Sequence, residues 1–300
     1  MNKPDFFIIG APKCGTTALS VYLSQHPEVC FAEPKEPHFF LTDVPGYRQI
    51  ETLSDYQKCF NCNGLKTRKF GEGSTWYMYS KVAVSNILEF NKDAKIIAML
   101  RDPIKMAESL YYQFVYGYEE DAPSFQDAWR LQESRLSGSN IPKNIDGPER
   151  LQYKQVCAVG TQLQRLMQIV PKYQLKIILF DDFISDTKAV YDDVLKFLDL
   201  PADNREEFPR INESKTHRFK IIADFTQKPS ERLDGMVRWL KGKLGINRIG
   251  LSNFLRKLNH KKNSREPMPD EFRKMLYSSF KDEITLVEKL LNRDLGSWHK

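Results

Sequence analysis

The N-terminal segment places the strongest constraint on what this chain can fold into. An apolar run, Phe6–Ile9, leads directly into the loop Gly10–Gly15, and a helical pattern begins at Thr16. A buried strand that passes through a glycine loop into a helix is the start of a βαβ unit. Backbone N–H groups in such a loop, together with the helix N-terminus, form a nest for an anion. The sequence therefore predicts an α/β protein with an anionic ligand.

Two later apolar runs, Lys95–Leu100 and Lys176–Phe180, repeat the pattern of a strand followed by a turn and a helix. After the first run, Asp102 is a predicted helix N-cap and Pro103 the first helical residue. Strands that alternate with helices predict a central parallel sheet flanked by helices on both faces. We therefore expect a single α/β domain over residues 1–300. Helices are predicted at 16–25, 155–170, 187–198 and 268–291.

Composition and cysteine usage exclude several classes of protein. Hydrophobic residues make up 41% and charged residues 28% of the chain, which is typical of a folded, soluble protein. The longest apolar run, Ile96–Leu100, has five residues, too few for a membrane-spanning helix. Five scattered cysteines predict a reducing, cytoplasmic location instead of a disulfide framework. Cys59 and Cys62 lack the second pair that a zinc site needs, so we interpret them as packing residues and expect no metal.

Two segments differ from the rest in charge and polarity. Lys215–Arg265 contains 14 basic and three acidic residues, a local charge of +11 in a chain whose net charge is +6. Apolar residues at helical spacing within 219–265 predict amphipathic helices. These helices fit a solvated segment, a lid over an acceptor, or a peripheral contact with an anionic membrane; nucleic acid is not an expected partner. The polar stretch 117–148 predicts a mobile surface loop, and we expect variable sequence over 119–150.

The glycine loop differs from that of nucleotide triphosphatases. In the motif G-x-x-x-x-G-K-[ST], a lysine follows the second glycine, but here Thr16 stands at that position and Lys13 lies inside the loop. Such enzymes also need an acidic residue on a later strand to hold Mg²⁺, whereas the second predicted strand is followed first by Arg101. A P-loop kinase or NTPase is therefore kept only as an alternative.

Two motifs resemble those of sulfotransferases that use 3′-phosphoadenosine-5′-phosphosulfate (PAPS). Pro12–Thr17 is similar to their 5′-phosphosulfate loop, and Arg101-Asp102-Pro103 with Ser109 is similar to their 3′-phosphate motif. Ser109 lies seven positions after Asp102, on the helix face nearest the cap, so it can converge with Arg101 on one phosphate. The resemblance implies these cofactor-binding residues: Lys13, Cys14, Gly15, Thr16, Thr17, Arg101 and Ser109. Cys14 is interpreted as a residue that fills space in the loop.

A third motif resembles the heparan sulfate sulfotransferase branch and its bacterial relatives. Pro34–Phe40 is similar to the K-E-x-H-F-F segment of that branch, in which the Glu is the proposed general base. This implies that Glu36 takes the proton of an acceptor hydroxyl, because an alcohol is a poor nucleophile until a base accepts its proton. His38 is the alternative base, and the competing interpretation makes it a packing residue beside Phe39 and Phe40. Lys13 would neutralise charge on the bridging oxygen as the sulfuryl group leaves.

The resemblance continues more loosely along the chain. Gly71–Tyr77 is similar to G-E-x-S-P-x-Y, with Gly73 in place of a common Lys and Thr75 in place of Pro. In the segment 212–218, Lys215 and Arg218 are implied to close over the cofactor. The function expected is sulfuryl transfer from PAPS to a hydroxyl of a glycan, a lipid or a small molecule. The other alternative is a PAPS-binding module without catalytic activity.

Overall fold

The computed structural model describes residues 3–44, 46–61, 67–211 and 267–299, together with the backbone of 215–217 and 260–262. The chain divides into two compact units, of which the first comprises Met1–Ile211 and Met268–Lys300 and the second Asn212–Pro267. In the second unit, Lys215–His217 pairs antiparallel with His260–Lys262. The helices predicted within 219–265 lie outside the described residues. The single-domain organisation stays a prediction.

A five-stranded parallel sheet is the centre of the first unit. Its spatial order is β2-β3-β1-β4-β5, and each neighbouring pair is parallel. The sequence predicted β1, β4 and β5 but missed β2 and β3, since these strands have only three and four residues and no continuous apolar run. The bounds are Phe6–Gly10 (β1), Val29–Phe31 (β2), Lys69–Glu72 (β3), Lys95–Leu100 (β4) and Leu175–Leu179 (β5).

The sheet is buried because its central strands are apolar on both faces. The residues of β1 and most of β4 are inaccessible to solvent, as expected for parallel strands covered by helices. Gly71 in β3 pairs with Phe6 in β1, and a Cβ atom at Gly71 would lie 2.1 Å from the Phe6 ring. The absence of a side chain at residue 71 therefore allows β3 to pair beside an aromatic residue.

Helices cover this sheet in the part of the chain that the structure describes. They are α1 Thr16–Ser24, α2 Leu53–Lys58, α3 Ala83–Phe90, α4 Pro103–Tyr116, α5 Phe125–Arg130, α6 Gln132–Leu136, α7 Tyr153–Val156, α8 Val159–Ile169, α9 Phe180–Ser185, α10 Thr187–Phe197 and α11 Asp270–Leu291. Short 3₁₀ helices occur at Pro148–Leu151, Lys172–Gln174 and Gly296–His299. Within the described ranges, no helix combines the length and the apolar character needed to cross a bilayer.

The helix predicted over 155–170 is interrupted. The backbone leaves helical geometry at Ala158, which separates α7 from α8. The position of α8 is set by α11, because the Thr161 backbone N–H and hydroxyl both donate to Glu283. A Cβ atom at Gly160 would lie 2.4 Å from the Glu283 carbonyl oxygen, so the two helices approach closely at that point. Contact with α11, which is distant in the sequence, therefore decides the position of α8, although the apolar periodicity over 155–170 predicted one continuous helix.

The prediction of a mobile loop over 117–148 is wrong for much of its length. The segment forms α5 and α6 and contains a buried ion pair between Glu120 and Arg135, whose side chains are both inaccessible to solvent. The Tyr153 hydroxyl also donates to Glu120, at 2.8 Å. The polar composition suggested solvent exposure, but the charges satisfy one another inside the protein.

The described cysteines are mostly free thiols, but one of them forms a disulfide that the sequence did not predict. Cys14, Cys59 and Cys157 are buried free thiols, whereas Cys30 is disulfide-bonded. The sequence could not show this, because spacing along the chain does not tell which thiols meet in the fold. A cytoplasmic location stays a prediction.

Candidate active site

The predicted site lies at the carboxyl edge of the sheet. From β1 the chain moves to one side of the sheet for β2 and β3, and to the other side for β4 and β5. Ligands of open parallel sheets bind beyond the strand ends at such a switch point. The loop Gly10–Gly15 and Arg101–Asp102 follow the ends of β1 and β4 and are therefore neighbours.

The glycines of the loop are required by close contacts. Gly15 has a φ of 87° and caps α1, and a Cβ atom there would lie 2.9 Å from the Phe180 ring. Gly10 has a φ of 131°, and a Cβ atom there would lie 2.3 Å from the carbonyl oxygen of Thr75. The first N–H groups of a helix have no acceptor within the helix. The start of α1, with Thr16 buried and Thr17 partly exposed, thus presents backbone donors beside this loop.

Lys13 connects the loop to the β4–α4 segment. Its ammonium donates to Gln113 Oε1 on α4 at 2.8 Å, and its carbonyl oxygen accepts a hydrogen bond of 3.0 Å from Arg101 Nη1. Ser109 is buried one turn before Gln113, so the two side chains share a face of α4. The structure therefore brings Lys13 and Arg101 together, beside the helix face that carries Ser109. Asp102 caps that helix as predicted, because its side chain accepts from the Ile104 N–H at 2.9 Å.

Arg101 and Cys14 are both held in place beside or within the loop Gly10–Gly15. The Arg101 guanidinium also stacks 4.7 Å from the centre of the Phe180 ring, which orients it at the strand end. Cys14 is fully buried, and its thiol contacts the Pro12 carbonyl oxygen at 3.4 Å. Burial raises the pKa of Cys14 to about 12, and this exceeds the opposing effects of Arg101 and Lys13. Cys14 is a neutral residue that fills space.

The Glu36 carboxylate is fixed by donors on both oxygens. Lys35 Nζ donates to Oε1 at 2.7 Å, and the Thr75 hydroxyl donates to Oε2 at 3.0 Å. The side chain is 28% exposed, so its carboxylate remains accessible to a substrate. The carbonyl of Thr75 lies against Gly10, so Thr75 joins Glu36 to the loop Gly10–Gly15, the predicted phosphate-binding loop. In the sequence, Thr75 stands out only because it replaces the Pro of G-E-x-S-P-x-Y.

His38 is much more buried than Glu36. Its side chain is 1% exposed, its ring lies 4.7 Å from the Tyr47 ring, and Nε2 is 3.4 Å from Glu36 Oε2. Burial lowers the pKa of His38 to about 4 despite the opposing effect of Glu36, so the imidazole is neutral near pH 7. The structure places both candidate bases together but exposes only Glu36.

Glu72, to which the sequence assigns no role, supports the segment that carries His38 through hydrogen bonds. It is fully buried at the end of β3 and accepts hydrogen bonds from the Tyr56 hydroxyl and, at 2.5 Å, from the Ser74 hydroxyl. Ser74 Oγ in turn accepts the His38 backbone N–H at 3.0 Å. Burial raises the pKa of Glu72 to about 7. A carboxyl group at a strand end was visible in the sequence, but its partners come from distant segments.

The remaining predicted site residues are less well defined. Lys215 begins the short strand 215–217, where only the backbone is described, and Arg218 lies outside the described residues. Among the residues that are described, no group of three or more His, Cys, Asp or Glu side chains could hold a metal ion.

A sequence model of the sulfotransferase domain matches residues 3–220, more than half of the chain. The chain belongs to the sulfotransferase family. Mouse carbohydrate sulfotransferase 15 is 29% identical to this sulfotransferase chain over 286 residues, which cover 76% of the chain and 48% of that protein. Human bifunctional heparan sulfate N-deacetylase/N-sulfotransferase 3 is 26% identical over 98% of the chain and 31% of that protein. The chain thus spans about half or less of these curated relatives.

A solved structure agrees with this assignment. The crystal structure of a sulfotransferase from Alicyclobacillus acidocaldarius is 25% identical in sequence, has a TM-score of 0.72 and is covered completely, as is this chain. The α/β fold with a central parallel sheet and the resemblance to sulfotransferases are therefore confirmed.

Proposed function

We propose that this sulfotransferase moves the sulfuryl group of PAPS to a hydroxyl group of a saccharide. The observation that carries the proposal is that Thr75 holds the Glu36 carboxylate while its own carbonyl abuts Gly10 of the phosphate-binding loop. A base and an anion-binding loop joined by one residue suit transfer between a bound donor and an oxygen nucleophile. The names of the two curated relatives, a carbohydrate sulfotransferase and a heparan sulfate N-deacetylase/N-sulfotransferase, favour a saccharide acceptor.

Each group of site residues would have a separate role in the transfer. Backbone N–H groups at the start of α1 would hold the 5′-phosphate, and Arg101 with Ser109 would hold the 3′-phosphate. Glu36 would accept the proton of the acceptor hydroxyl while the acceptor oxygen forms its bond to sulfur. The bond between sulfur and the bridging phosphate oxygen breaks, and the Lys13 ammonium would neutralise the charge left on that oxygen. A sulfuryl group carries less negative charge than a phosphoryl group, so the scheme includes no metal ion.

The donor can be tested without knowing the acceptor. Adenosine 3′,5′-bisphosphate should raise the melting temperature clearly more than ATP at equal concentration, because Arg101 and Ser109 would bind a 3′-phosphate that ATP lacks. Arg101→Ala should remove this preference. Equal shifts with both nucleotides would exclude the 3′-phosphate site, and a shift with ATP that depends on Mg²⁺ would favour a nucleotide kinase.

The base can be tested with water as the acceptor. Slow hydrolysis of PAPS yields sulfate and adenosine 3′,5′-bisphosphate, and Glu36 would take the proton from the attacking water. Glu36→Gln should lower this turnover by about 10²–10⁴-fold and leave stabilisation by the bisphosphate unchanged. A loss of only a few-fold would exclude Glu36 as the base and make His38→Ala the next variant. Transfer of labelled sulfate to saccharide, lipid and small-molecule fractions would then identify the acceptor class.

A further inference from the structure

Lys35 and Gly73 bind each other reciprocally. The Gly73 backbone N–H donates to the Lys35 carbonyl oxygen at 3.2 Å, and Lys35 Nζ donates to the Gly73 carbonyl oxygen at 2.9 Å. The segment that carries Glu36 is thus attached to the one that carries Thr75 through both backbone and side chain. The Lys35 side chain is only 21% exposed, so this position of the ammonium is defined by packing as well as by hydrogen bonds.

The side chain of Lys35 occupies the space that a side chain at residue 73 would need. A Cβ atom built on Gly73 would lie 3.1 Å from Lys35 Cε and 2.9 Å from Ser20 Oγ. The first distance is tighter than nine in ten real contacts of a Cβ atom, and the second is shorter than real Cβ atoms show, so one of these two flexible side chains would have to shift. Gly73 therefore leaves room for a lysine that comes from another segment.

The same ammonium defines the orientation of Glu36. It donates to Glu36 Oε1 at 2.7 Å while Thr75 donates to Oε2, so the carboxylate is held between two donors. Hydrogen bonds between ionised groups are about twice as strong as neutral ones. Because Lys35 is itself fixed on the Gly73 carbonyl, the carboxylate has a rigid support beside the phosphate-binding loop.

We propose that Lys35 is a positioning residue for Glu36, an inference that rests on the proposed role of Glu36 as the base. Lys35 holds the carboxylate in the orientation from which it meets the acceptor hydroxyl, and in this chain Gly73 leaves the space that the lysine side chain occupies. A correctly oriented base contributes to turnover more than to binding of the donor.

Three variants of Lys35 and Glu36 test this role. Lys35→Met should lower the kcat of PAPS hydrolysis about tenfold with the KM for PAPS within about twofold of wild type. Lys35→Arg should recover turnover to within about threefold, because it keeps the charge and the donors. The double variant Lys35→Met/Glu36→Gln should be no slower than Glu36→Gln alone, since Lys35 acts through Glu36. The melting temperature of each variant identifies general loss of folding.

The matched control is Lys58→Met. Lys58 forms an ion pair of the same length with Asp55, 2.7 Å, but its side chain is 73% exposed on α2. Its replacement should leave both kcat and KM unchanged. A loss equal to that of Lys35→Met would show that any removed lysine lowers turnover, and would overturn the proposal.

A readout without PAPS separates this inference from the proposed function. Burial is the main cause of the low pKa of His38, and the charge of Lys35 lowers that pKa further. NMR titration of the His38 ring should therefore give a higher pKa in Lys35→Met and no change in Lys58→Met. An unchanged His38 pKa would overturn the placement of the ammonium even if PAPS is not the donor. A raised KM for PAPS with normal kcat, or losses that multiply in the double variant, would overturn the positioning role while leaving the sulfotransferase assignment intact.

Discussion

Replacing Arg135 with Met should destabilise the protein strongly, because it leaves a carboxylate buried without its cation. Arg135 is inaccessible to solvent and binds both oxygens of Glu120, at 2.6 and 2.7 Å. Its Nε also donates to the Asn140 carbonyl oxygen at 3.1 Å, which fixes the chain beyond α6. The substitution preserves most of the side-chain volume and removes all of these contacts.

The magnitude follows from what remains around Glu120. Removing one partner of a buried ion pair costs about 3–5 kcal/mol of unfolding free energy. Glu120 keeps three donors, the Tyr153 hydroxyl and the backbone N–H groups of Asp121 and Ala122, so the lower end of that range applies. With an unfolding entropy of about 2.1 cal/mol/K per residue, a chain of 300 residues shifts by about 1.6 °C per kcal/mol, so a loss of about 3 kcal/mol lowers the melting temperature by about 5 °C.

Urea unfolding monitored by circular dichroism measures the loss, and hydrogen exchange over 119–136 shows whether the opening is local. The control is Arg130→Met, since Arg130 is 66% exposed and lies 3.7 Å from Asp127; this change should alter stability by no more than about 0.5 kcal/mol. The double variant Glu120→Gln/Arg135→Met should recover part of the loss, because no charge is left unpaired. A loss of unfolding free energy below about 1 kcal/mol for Arg135→Met would refute this account. So would a double variant whose loss equals the sum of the losses of Glu120→Gln and Arg135→Met measured singly.

Three other changes test the supports of the site. Burial raises the pKa of Glu72 from 4.5 to about 7, so the folded protein binds the proton of this carboxyl group more tightly than the unfolded chain does. The contribution of that proton to the unfolding free energy is therefore lost as the pH rises from 4.5 through 7. The unfolding free energy of wild type minus that of Glu72→Gln should therefore drop by about 3 kcal/mol between pH 4.5 and 7.5, and a constant difference in urea titrations would contradict it. Gly73→Ala should lower turnover of PAPS by no more than Lys35→Met does, because the added methyl group displaces the end of the Lys35 side chain. The loss should be smaller when Lys35 is already Ala, and equal losses in both backgrounds would exclude the steric contact. Gly15→Ala should weaken binding of adenosine 3′,5′-bisphosphate at least tenfold in calorimetry, because the added methyl group would contact the Phe180 ring and residue 15 has a positive φ. Unchanged affinity would argue against this loop as the phosphate site.

Local sequence signals predicted the elements around the loop Gly10–Gly15. β1, β4 and β5 each contain an apolar run of three or more residues, and Asp102 before Pro103 marked the start of α4. In contrast, β2 and β3 are stable only because they pair with the sheet, and α5 and α6 lie in a segment whose charges suggested a loop. The first group depends on patterns within about ten residues, whereas the second depends on partners far along the chain.

The candidate site also has features that local motifs predict and features that depend on segments far apart in the sequence. Lys13, Glu36, Arg101 and Ser109 stand in short motifs, so the sequence alone determined which residue types are available at the strand ends. Only the tertiary structure decided that the Lys35 ammonium binds the Gly73 carbonyl and that the Thr75 carbonyl lies against Gly10. The physical reason is that a motif fixes side chains relative to their own turn of backbone. The distance between two motifs is set by the parallel pairing of β1 and β3, which brings residues 10 and 75 together across more than sixty positions of sequence.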